Sequence, residues 1–403
     1  MPFLLILGLA DFASGFTVRA VDPMLNVVAG DLRVSVQTAA LLASAFALPY
    51  AAMQLVFGPI GDAFGRVRLI RVTLSLLTVG HVASALAPNH DMLLLARIFA
   101  GGWAGGIIPV ALATVGDRVP FERRPEALGR LLLAVVLGQL CGATISGVIA
   151  AYFGWRAVFW TGAGVSALAA VGAMLFLTEI GTRQKLSVKT ALAGYATVLR
   201  NPVSVRLFAI TALEGGVIFG VFPFVAPLLV EFRFGNAVEA GIAIGAFAIG
   251  GVGYSLVVRH LVRVLGLGTM AAVGASVVGL CLIGVAFAPS LPVVVALFFI
   301  WGFGFYTIHN TLQILATELS PTARGSGISL YATSFFVGQA VGAVVAGLVV
   351  TALGSNAGLF VGAGLAMLAL AWPASRLAPF AARLKRTADA AAQADAPDPV
   401  EHV

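Results

Sequence analysis

The chain has 403 residues, of which 60% are hydrophobic and only 10% are charged, and its formal net charge is +7. Soluble domains carry charges on about a quarter of their residues, so this composition excludes a soluble globule and indicates a polytopic membrane protein. The basic residues are scattered through short loops, without a basic face or interleaved aromatic residues, and no nucleic-acid partner is expected. Cys141 and Cys281 both lie in apolar segments, which favours core packing over a disulfide or a metal site.

Apolar runs of about 20 residues, each long enough to cross a hydrocarbon core of about 30 Å, follow one another along the whole chain. Six of them precede residue 178 and cover residues 3–28, 37–61, 68–87, 91–115, 128–151 and 156–177. Six more follow residue 204 and cover residues 205–229, 236–258, 268–288, 291–317, 328–353 and 356–377. We therefore predict an all-α membrane protein with twelve transmembrane helices.

The polarity of the remaining segments divides the chain into four parts. Residues 1–178 are predicted to form an N-terminal six-helix bundle, and residues 204–378 a C-terminal six-helix bundle. Residues 179–203 are more polar and are expected to be a cytoplasmic linker between the bundles. Residues 379–403 are Ala-rich, first basic and then acidic, which predicts a disordered cytoplasmic tail.

The distribution of Lys and Arg over alternate loops predicts the orientation, because cytoplasmic loops retain positive charge. One side carries nearly all of these residues, whereas the other side carries only Arg33, Arg156 and Arg233. Both termini and the loop at residues 58–68 are therefore expected in the cytoplasm, with the chain embedded as a multi-pass protein in the lipid bilayer of the inner membrane.

The two halves of the sequence repeat at an offset of 200 to 201 residues. The retained positions are glycines, prolines and loop charges, which chance apolar similarity would not keep in step. They include Pro23 with Pro223, Asp31 with Glu231, Gly65 with Gly266, Gly138 and Gln139 with Gly338 and Gln339, and Gly142, Gly147 and Gly154 with Gly342, Gly347 and Gly354. Two pseudo-symmetric six-helix bundles of this kind form a transporter architecture in which substrate binds near the midplane between the halves.

The loop at residues 58–68 reads Gly-Pro-Ile-Gly-Asp-Ala-Phe-Gly-Arg-Val-Arg. Its spacing resembles the loop between the second and third helices of major facilitator superfamily transporters, G-x-L-A-D-R-x-G-R-K/R-x. The matching positions are Gly58, Asp62, Gly65 and Arg66. Ala63 and Val67 replace basic residues that are usual there, which leaves the acidic group fewer local partners. The resemblance implies the major facilitator fold, a small-molecule substrate and no cofactor, and a monomer is expected.

Two further segments resemble motifs of the same family. Residues 93–101, with Arg97 at their centre, are similar to the fourth-helix pattern L-x-x-x-R-x-x-Q-G. Gly138, Gly142 and Gly147 match most of the fifth-helix pattern of antiporters, although Ala143 replaces its proline. This second match implies proton-driven export, but close helix packing by small residues explains the same glycines equally well.

Ionisable residues inside the bilayer are costly and by default mark a transport pathway. They are Asp11, Arg19, Asp22, Arg97, Glu214 and His309. Asp22 in the first span and Arg97 in the fourth are expected at similar depths and can meet, whereas the alternative is a salt bridge of Asp22 with Arg19 on its own helix. Asp11 lies nearer the entrance and is not assigned a role.

In the second half, Glu214 has no charged neighbour in its own span, and burial favours the protonated form of such a carboxyl group. His309 in the tenth span is expected to face it, beside Asn310 and four residues before Gln313. A packing role for His309 is the alternative. In the family, the first, fourth, seventh and tenth helices line the central cavity, so Glu214 is predicted to be the site that couples proton and substrate movement.

Asp62, at the cytoplasmic end of the second span, is predicted to act as a conformational switch. It can face Arg118 after the fourth span and the N-terminal end of the eleventh span, where exposed N–H groups carry partial positive charge. Such a contact would join the two halves when the opposite side is open.

These observations predict a secondary transporter that exports a small organic molecule or drug in exchange for protons, by rocking of the two halves. Transport of a sugar, an amino acid or an organic acid on the same fold is the alternative. A membrane-embedded enzyme is disfavoured, because the sequence contains neither paired acidic metal motifs nor a Gly-x-Ser-Gly with a partner His.

Overall fold

The computed structural model describes residues 2–120, 123–179, 188–320 and 323–394, and every regular element in these ranges is helical. Eleven of the helices are long and apolar enough to cross a membrane. One of them, Ala237–Ala286, has 50 residues, far more than one crossing requires. Gly266 interrupts it with φ 69° and ψ 160°, so this helix provides two spans. The prediction of an all-α protein with twelve spans is confirmed for the part of the chain described.

The spans are numbered 1 to 12 in chain order. Those of the first half are Pro2–Arg19 with Leu25–Leu32 (span 1), Val36–Phe64 (2), Arg66–Ala85 (3), His90–Ala104 with Ile107–Arg118 (4), Arg124–Phe153 (5) and Trp155–Phe176 (6). Those of the second half are Pro202–Gly220 with Val225–Glu231 (span 7), Ala237–Ala286 divided at Gly266 (8 and 9), Leu291–Thr317 (10), Arg324–Leu353 (11) and Asn356–Ala394 (12).

Two segments outside the predicted spans are more regular than the sequence predicts. The linker contains the helix Val188–Leu199, whose Tyr195 hydroxyl donates a hydrogen bond to the Leu55 carbonyl at 2.9 Å. Span 12 continues past Pro379 to Ala394, so this part of the tail is helical where disorder is predicted. Alanine has the highest helix propensity of all residues, and the segment after Pro379 is rich in it.

The backbone repeats with the same offset as the sequence. Spans 1 and 7 are each interrupted by a short 3-10 turn, at Asp22–Met24 and Phe222–Phe224. Positive φ angles also recur in matched pairs, which are Arg33 (55°) with Arg233 (58°), Gly65 (102°) with Gly266 (69°), and Gly154 (80°) with Gly354 (64°). The repeat therefore conserves the points at which the chain bends.

The two halves contact each other through spans 2 and 11 and through spans 5 and 8. Ser44 of span 2 donates a hydrogen bond to the Ala340 carbonyl at 2.7 Å, and Thr333 of span 11 donates one to the Ala51 carbonyl at 3.2 Å. Gly147 of span 5 packs directly on the backbone of Ala237 in span 8. The contacts of Ser44 and Gly147 lie in the parts of the spans farther from the chain termini, whereas that of Thr333 with Ala51 lies nearer the middle. A cavity separates the halves on the side nearer the termini.

Candidate substrate cavity and proton site

The cavity between the halves has a volume of about 490 Å³. Span 5 lines it through residues 129–139, which lie nearer the chain termini than the residues that contact span 8. The remaining walls come from spans 1, 7, 8, 10 and 11. The aromatic side chains that line it are Phe219, Tyr254, Phe305, Tyr306, Phe335 and Phe336, and its polar side chains include Arg19, Gln139, His309, Asn310 and Gln313. The structure therefore places His309, Asn310, Gln313 and Arg19 in one cavity, as the sequence analysis expects.

Glu214 and His309 form a buried pair next to this cavity. The Glu214 side chain is 0% exposed, and its Oε2 lies 3.3 Å from Nδ1 of His309, which is 17% exposed and reaches the cavity. The Tyr331 hydroxyl lies 2.9 Å from the same Nδ1 and donates to the His309 carbonyl at 2.9 Å. No hydrogen-bond partner is recorded for Oε1 of Glu214 among the described residues. The predicted contact between spans 7 and 10 is thus present in the structure.

Gly215 and Gly216, the glycines beside Glu214, face the backbone and side chains of span 11. A Cβ on Gly215 would lie 2.9 Å from the Phe335 ring, and a Cβ on Gly216 would lie 2.9 Å from the Gly338 carbonyl oxygen. These glycines therefore allow span 11 to pack closely against span 7.

Arg19 and Asp22 form the polar centre of the first half. Nη1 of Arg19 lies 3.4 Å from Oδ2 of Asp22, and Nη2 donates to Oε1 of Gln339 across the boundary between the halves, also at 3.4 Å. The guanidinium carbon is 3.8 Å from the centroid of the Phe219 ring and 5.2 Å from that of Phe222. Arg19 thus contacts the C-terminal half through one amide and two rings.

Arg97 lies close enough to Asp22 for an electrostatic interaction, but no hydrogen bond joins the two side chains. Its Nη2 is 3.5 Å from the Thr17 carbonyl, and its guanidinium carbon is 4.3 Å from the centroid of the Phe46 ring. Nε and Nη1 have no recorded partner in the described part of the chain. The structure therefore pairs Asp22 with Arg19, which is the alternative stated above, and leaves Arg97 with unused donors.

Asp11 is deeper than the sequence indicates. Its side chain is fully buried in the first half, near the Tyr50 hydroxyl, and neither carboxylate oxygen has a recorded hydrogen-bond partner. It does not line the cavity. Among the described residues, no group of three or more His, Cys, Asp or Glu side chains could hold a metal ion.

The loop at residues 58–68 is held by contacts that the sequence analysis missed. Glu179, three residues past the end of span 6, accepts hydrogen bonds from the backbone N–H groups of Val67 at 3.3 Å and Arg68 at 3.0 Å, at the start of span 3. Arg66 donates to the Ala113 carbonyl of span 4 at 2.6 Å. The side chain of Asp62 lies outside the described residues, and its contact with Arg118 stays a prediction.

The antiporter-like glycines of span 5 pack against neighbouring backbones. A Cβ on Gly138 would collide with the Phe12 carbonyl, and one on Gly142 with the Phe16 carbonyl, both in span 1. Gly147 has the same relation to span 8. Close packing of helices therefore explains all three glycines, which is the alternative interpretation given for this motif.

Tyr331 and Gln339 of span 11 are site residues that were not predicted from the sequence. The repeat contained a signal for Gln339, because Gln139 and Gln339 are matched polar positions within apolar spans. In the structure Gln139 lines the cavity and Gln339 contacts Arg19. No comparable signal marks Tyr331, which reaches His309 only through the packing of spans 10 and 11.

Comparisons with known proteins support a transporter architecture. The chain is 28% identical over 372 residues to the uncharacterized MFS-type transporter YfhI of Bacillus subtilis, with 89% of this chain and 90% of that protein covered. It is 24% identical over 371 residues to a probable sugar efflux transporter of Mannheimia succiniciproducens, covering 91% and 92% of the two chains.

Solved structures show the same fold. A POT family transporter in complex with a thioalcohol-conjugated peptide superposes with a TM-score of 0.78 at 16% identity, covering 94% of this chain and 96% of that one. A bacterial homologue of the human lysosomal transporter Spinster, in an inward-facing and unoccupied conformation, gives 0.71 at 19% identity, with 94% and 96% covered. The profile of the Major Facilitator Superfamily matches residues 7–326. The chain therefore belongs to the major facilitator superfamily of membrane transporters.

Proposed function

We propose that this protein is a proton-coupled transporter that exports a small organic molecule, with Glu214 and His309 as its proton site. The observation that carries the proposal is the position of His309, whose Nδ1 lies 3.3 Å from the buried Glu214 carboxylate while its side chain also reaches the cavity. A single side chain thus connects a buried acid with the space available to a substrate.

The physical basis of coupling is the cost of an isolated buried charge. An ionised carboxylate without a partner in a dry interior costs several kcal/mol, so Glu214 must be protonated or paired with an imidazolium. In either case the Glu214 and His309 pair holds one titratable proton, on the carboxyl group or on the imidazole. This proton lies close to Nδ1 of His309 and the Tyr331 hydroxyl. A substrate that binds His309 from the cavity side changes where this proton is most stable, and that links the two binding events.

The contacts between the halves support an alternating-access cycle. The halves contact each other through spans 2 and 11 and spans 5 and 8 on one side of the cavity, and with the predicted orientation this is the outer side. Rocking of the two bundles about the cavity would break these contacts and expose the same residues to the opposite side.

Export is favoured by the relatives named as probable sugar efflux transporters and by the antiporter-like pattern of span 5. Exchange of substrate for protons stays a prediction, and transport of a sugar, an amino acid or an organic acid is retained as the alternative. A first experiment compares the growth of a deletion strain and its parent against a panel of toxic compounds, which identifies exported molecules.

The test of coupling uses a compound found in this way and the protein in proteoliposomes with an internal pH indicator. Glu214→Gln mimics the protonated acid and cannot release a proton, so we expect it to abolish the proton signal on addition of the compound while binding is kept. Asp11→Asn is the matched control, since it also removes a fully buried carboxyl group but lies away from the cavity. A proton signal of parental size in folded Glu214→Gln would disprove the assignment.

A further inference from the structure

The charges buried around the cavity do not balance. In the first half, Arg19 and Arg97 are opposed by the single carboxylate of Asp22, and all three are nearly fully buried. In the second half, Glu214 and His309 share one proton and are together neutral under the cost argument given above. Asp11, buried with no recorded donor, is neutral for the same reason. The described central region therefore carries an excess of one positive charge.

Arg19 is the member of this group that reaches the cavity wall. Both of its recorded hydrogen bonds, to Asp22 and Gln339, are 3.4 Å long, which is beyond the usual range for N–H···O bonds. A guanidinium has more donors than these two, and its planar edge suits a carboxylate or a similar oxyanion. The Phe219 ring covers one face of the guanidinium, so an anionic group would approach along the edge.

The rest of the cavity wall is aromatic or uncharged. Phe305 lies 5.0 Å from Tyr306 and 6.2 Å from Phe335, measured between ring centroids, so these rings form a continuous surface. Asn310 and Gln313 add neutral hydrogen-bonding groups. No carboxylate lines the cavity among the described residues, so its wall offers no counter-charge to a cationic ligand.

We propose that the substrate is a small organic anion with an aromatic ring, whose carboxylate binds Arg19 while its ring packs on Phe305 and Phe335. This inference rests on the proposed function in one respect, which is that the substrate occupies this cavity. It selects the organic acid from the alternatives left open above and disfavours a neutral sugar.

The proposal makes the Asp22 carboxylate a competitor of the substrate. An anion at Arg19 competes with Asp22 for the same guanidinium, so removal of that carboxylate should favour anion binding.

The test measures binding to the purified full chain by calorimetry. The probes are aromatic carboxylates, each paired with its uncharged amide, with 2-naphthoate and 2-naphthamide as the first pair and glucose as the sugar. We expect the carboxylates to bind and the amides to bind at least about tenfold more weakly. Arg19→Gln should weaken carboxylate binding roughly 10-fold to 100-fold, the range of charge-assisted hydrogen bonds. Arg130→Gln, which removes an exposed guanidinium paired with Glu126, should have no effect.

Asp22→Asn separates this proposal from a purely structural salt bridge. If the Arg19 pair with Asp22 serves only stability, its loss weakens binding or folding, whereas removal of a competing carboxylate tightens anion binding. Equal binding of acids and amides, parental binding by Arg19→Gln, or no binding of any carboxylate would overturn the proposal. The comparison of acids with amides needs only the parent protein, so it decides even if Arg19→Gln does not fold. A Glu214-dependent proton signal with a neutral compound would leave the proposed function intact while rejecting the anion.

Discussion

The two halves of the molecule share one backbone plan but differ in the chemistry that they present at their boundary. Where the first half has Arg19 and Asp22 around the break in span 1, the second half has Phe219 and Phe222 around the equivalent break in span 7. Arg19 stacks on Phe219, the residue at its own repeat position. The charged Arg19 side chain of the first half therefore packs on aromatic rings of the second half.

The acidic groups differ in the same way. Glu214 lies at the repeat position of Ser14, which contacts the Tyr50 hydroxyl at 3.4 Å and carries no charge. By contrast, Asp31 and Glu231 are matched and do equivalent work, since each accepts hydrogen bonds from residues at the start of the last span of its half. The comparison shows that the repeat conserves residues that shape the bundles, whereas the charged residues Arg19, Asp22 and Glu214 lie at positions where the repeat is broken. Gln139 and Gln339 are matched polar positions that the repeat keeps.

Because the two halves share one backbone plan, equivalent loops should lie on the same side of the membrane. A labelling test of this topology has the largest expected effect. In a variant without Cys141 and Cys281, single cysteines at Ser35 and Ser355 should react almost completely with an impermeant maleimide in intact cells. Single cysteines at Ala63 and His260 should react only after the cells are opened, because the charge bias places those ends inside. The reverse pattern would refute the predicted orientation, and a different result for the two halves would refute their parallel repeat.

The matched glycines provide the second contrast. Leucine at Gly138 or at Gly338 would force a side chain into the carbonyl of Phe12 or Ala212, and overpacking typically costs about 1–3 kcal/mol or more. We expect both variants to lose most of their folded protein, measured as the monodisperse fraction in size-exclusion chromatography. Gly164→Leu is the control, because nothing lies within 4 Å of its Cβ position. Sensitivity in one half alone would show that the packing is not symmetric.

The smallest expected difference between the halves is in the stability cost of alanine at the matched bends Gly154 and Gly354. No atom lies within 4 Å of a Cβ at Gly154 or Gly354, so alanine there changes only backbone strain. Gly154 has φ 80° and ψ 160°, a region occupied almost only by glycine, whereas Gly354 has φ 64° and ψ 18°. We expect a loss of about 1–3 kcal/mol for Gly154→Ala and about 1 kcal/mol for Gly354→Ala, seen as a larger fall in Tm for the first. Equal shifts would contradict the different geometries.

The sequence alone determined the twelve spans, the repeat and the family, and it predicted four of the side chains that line the cavity, which are Arg19, His309, Asn310 and Gln313. These features depend on local signals, because the length of an apolar run is set by the bilayer and an ionisable residue within it is rare enough to notice. Even the Glu214 and His309 pair could be predicted, since both are unusual residues on spans expected to line the cavity. The tail was mispredicted from Pro379 to Ala394, where its alanine content outweighed its charge pattern.

Tertiary structure alone decided which partners these residues have. Asp22 contacts Arg19 instead of Arg97, Arg19 reaches Gln339 in the other half, and Tyr331 joins His309. Each choice depends on how far a helix is rotated about its axis and on which neighbour packs against it. Rotation and neighbour are set by the interlocking of glycines and side chains across the bundle. The i,i+3 spacing allows the pair of Arg19 with Asp22, but no local pattern encodes the contact of Arg19 with Gln339 or that of Tyr331 with His309.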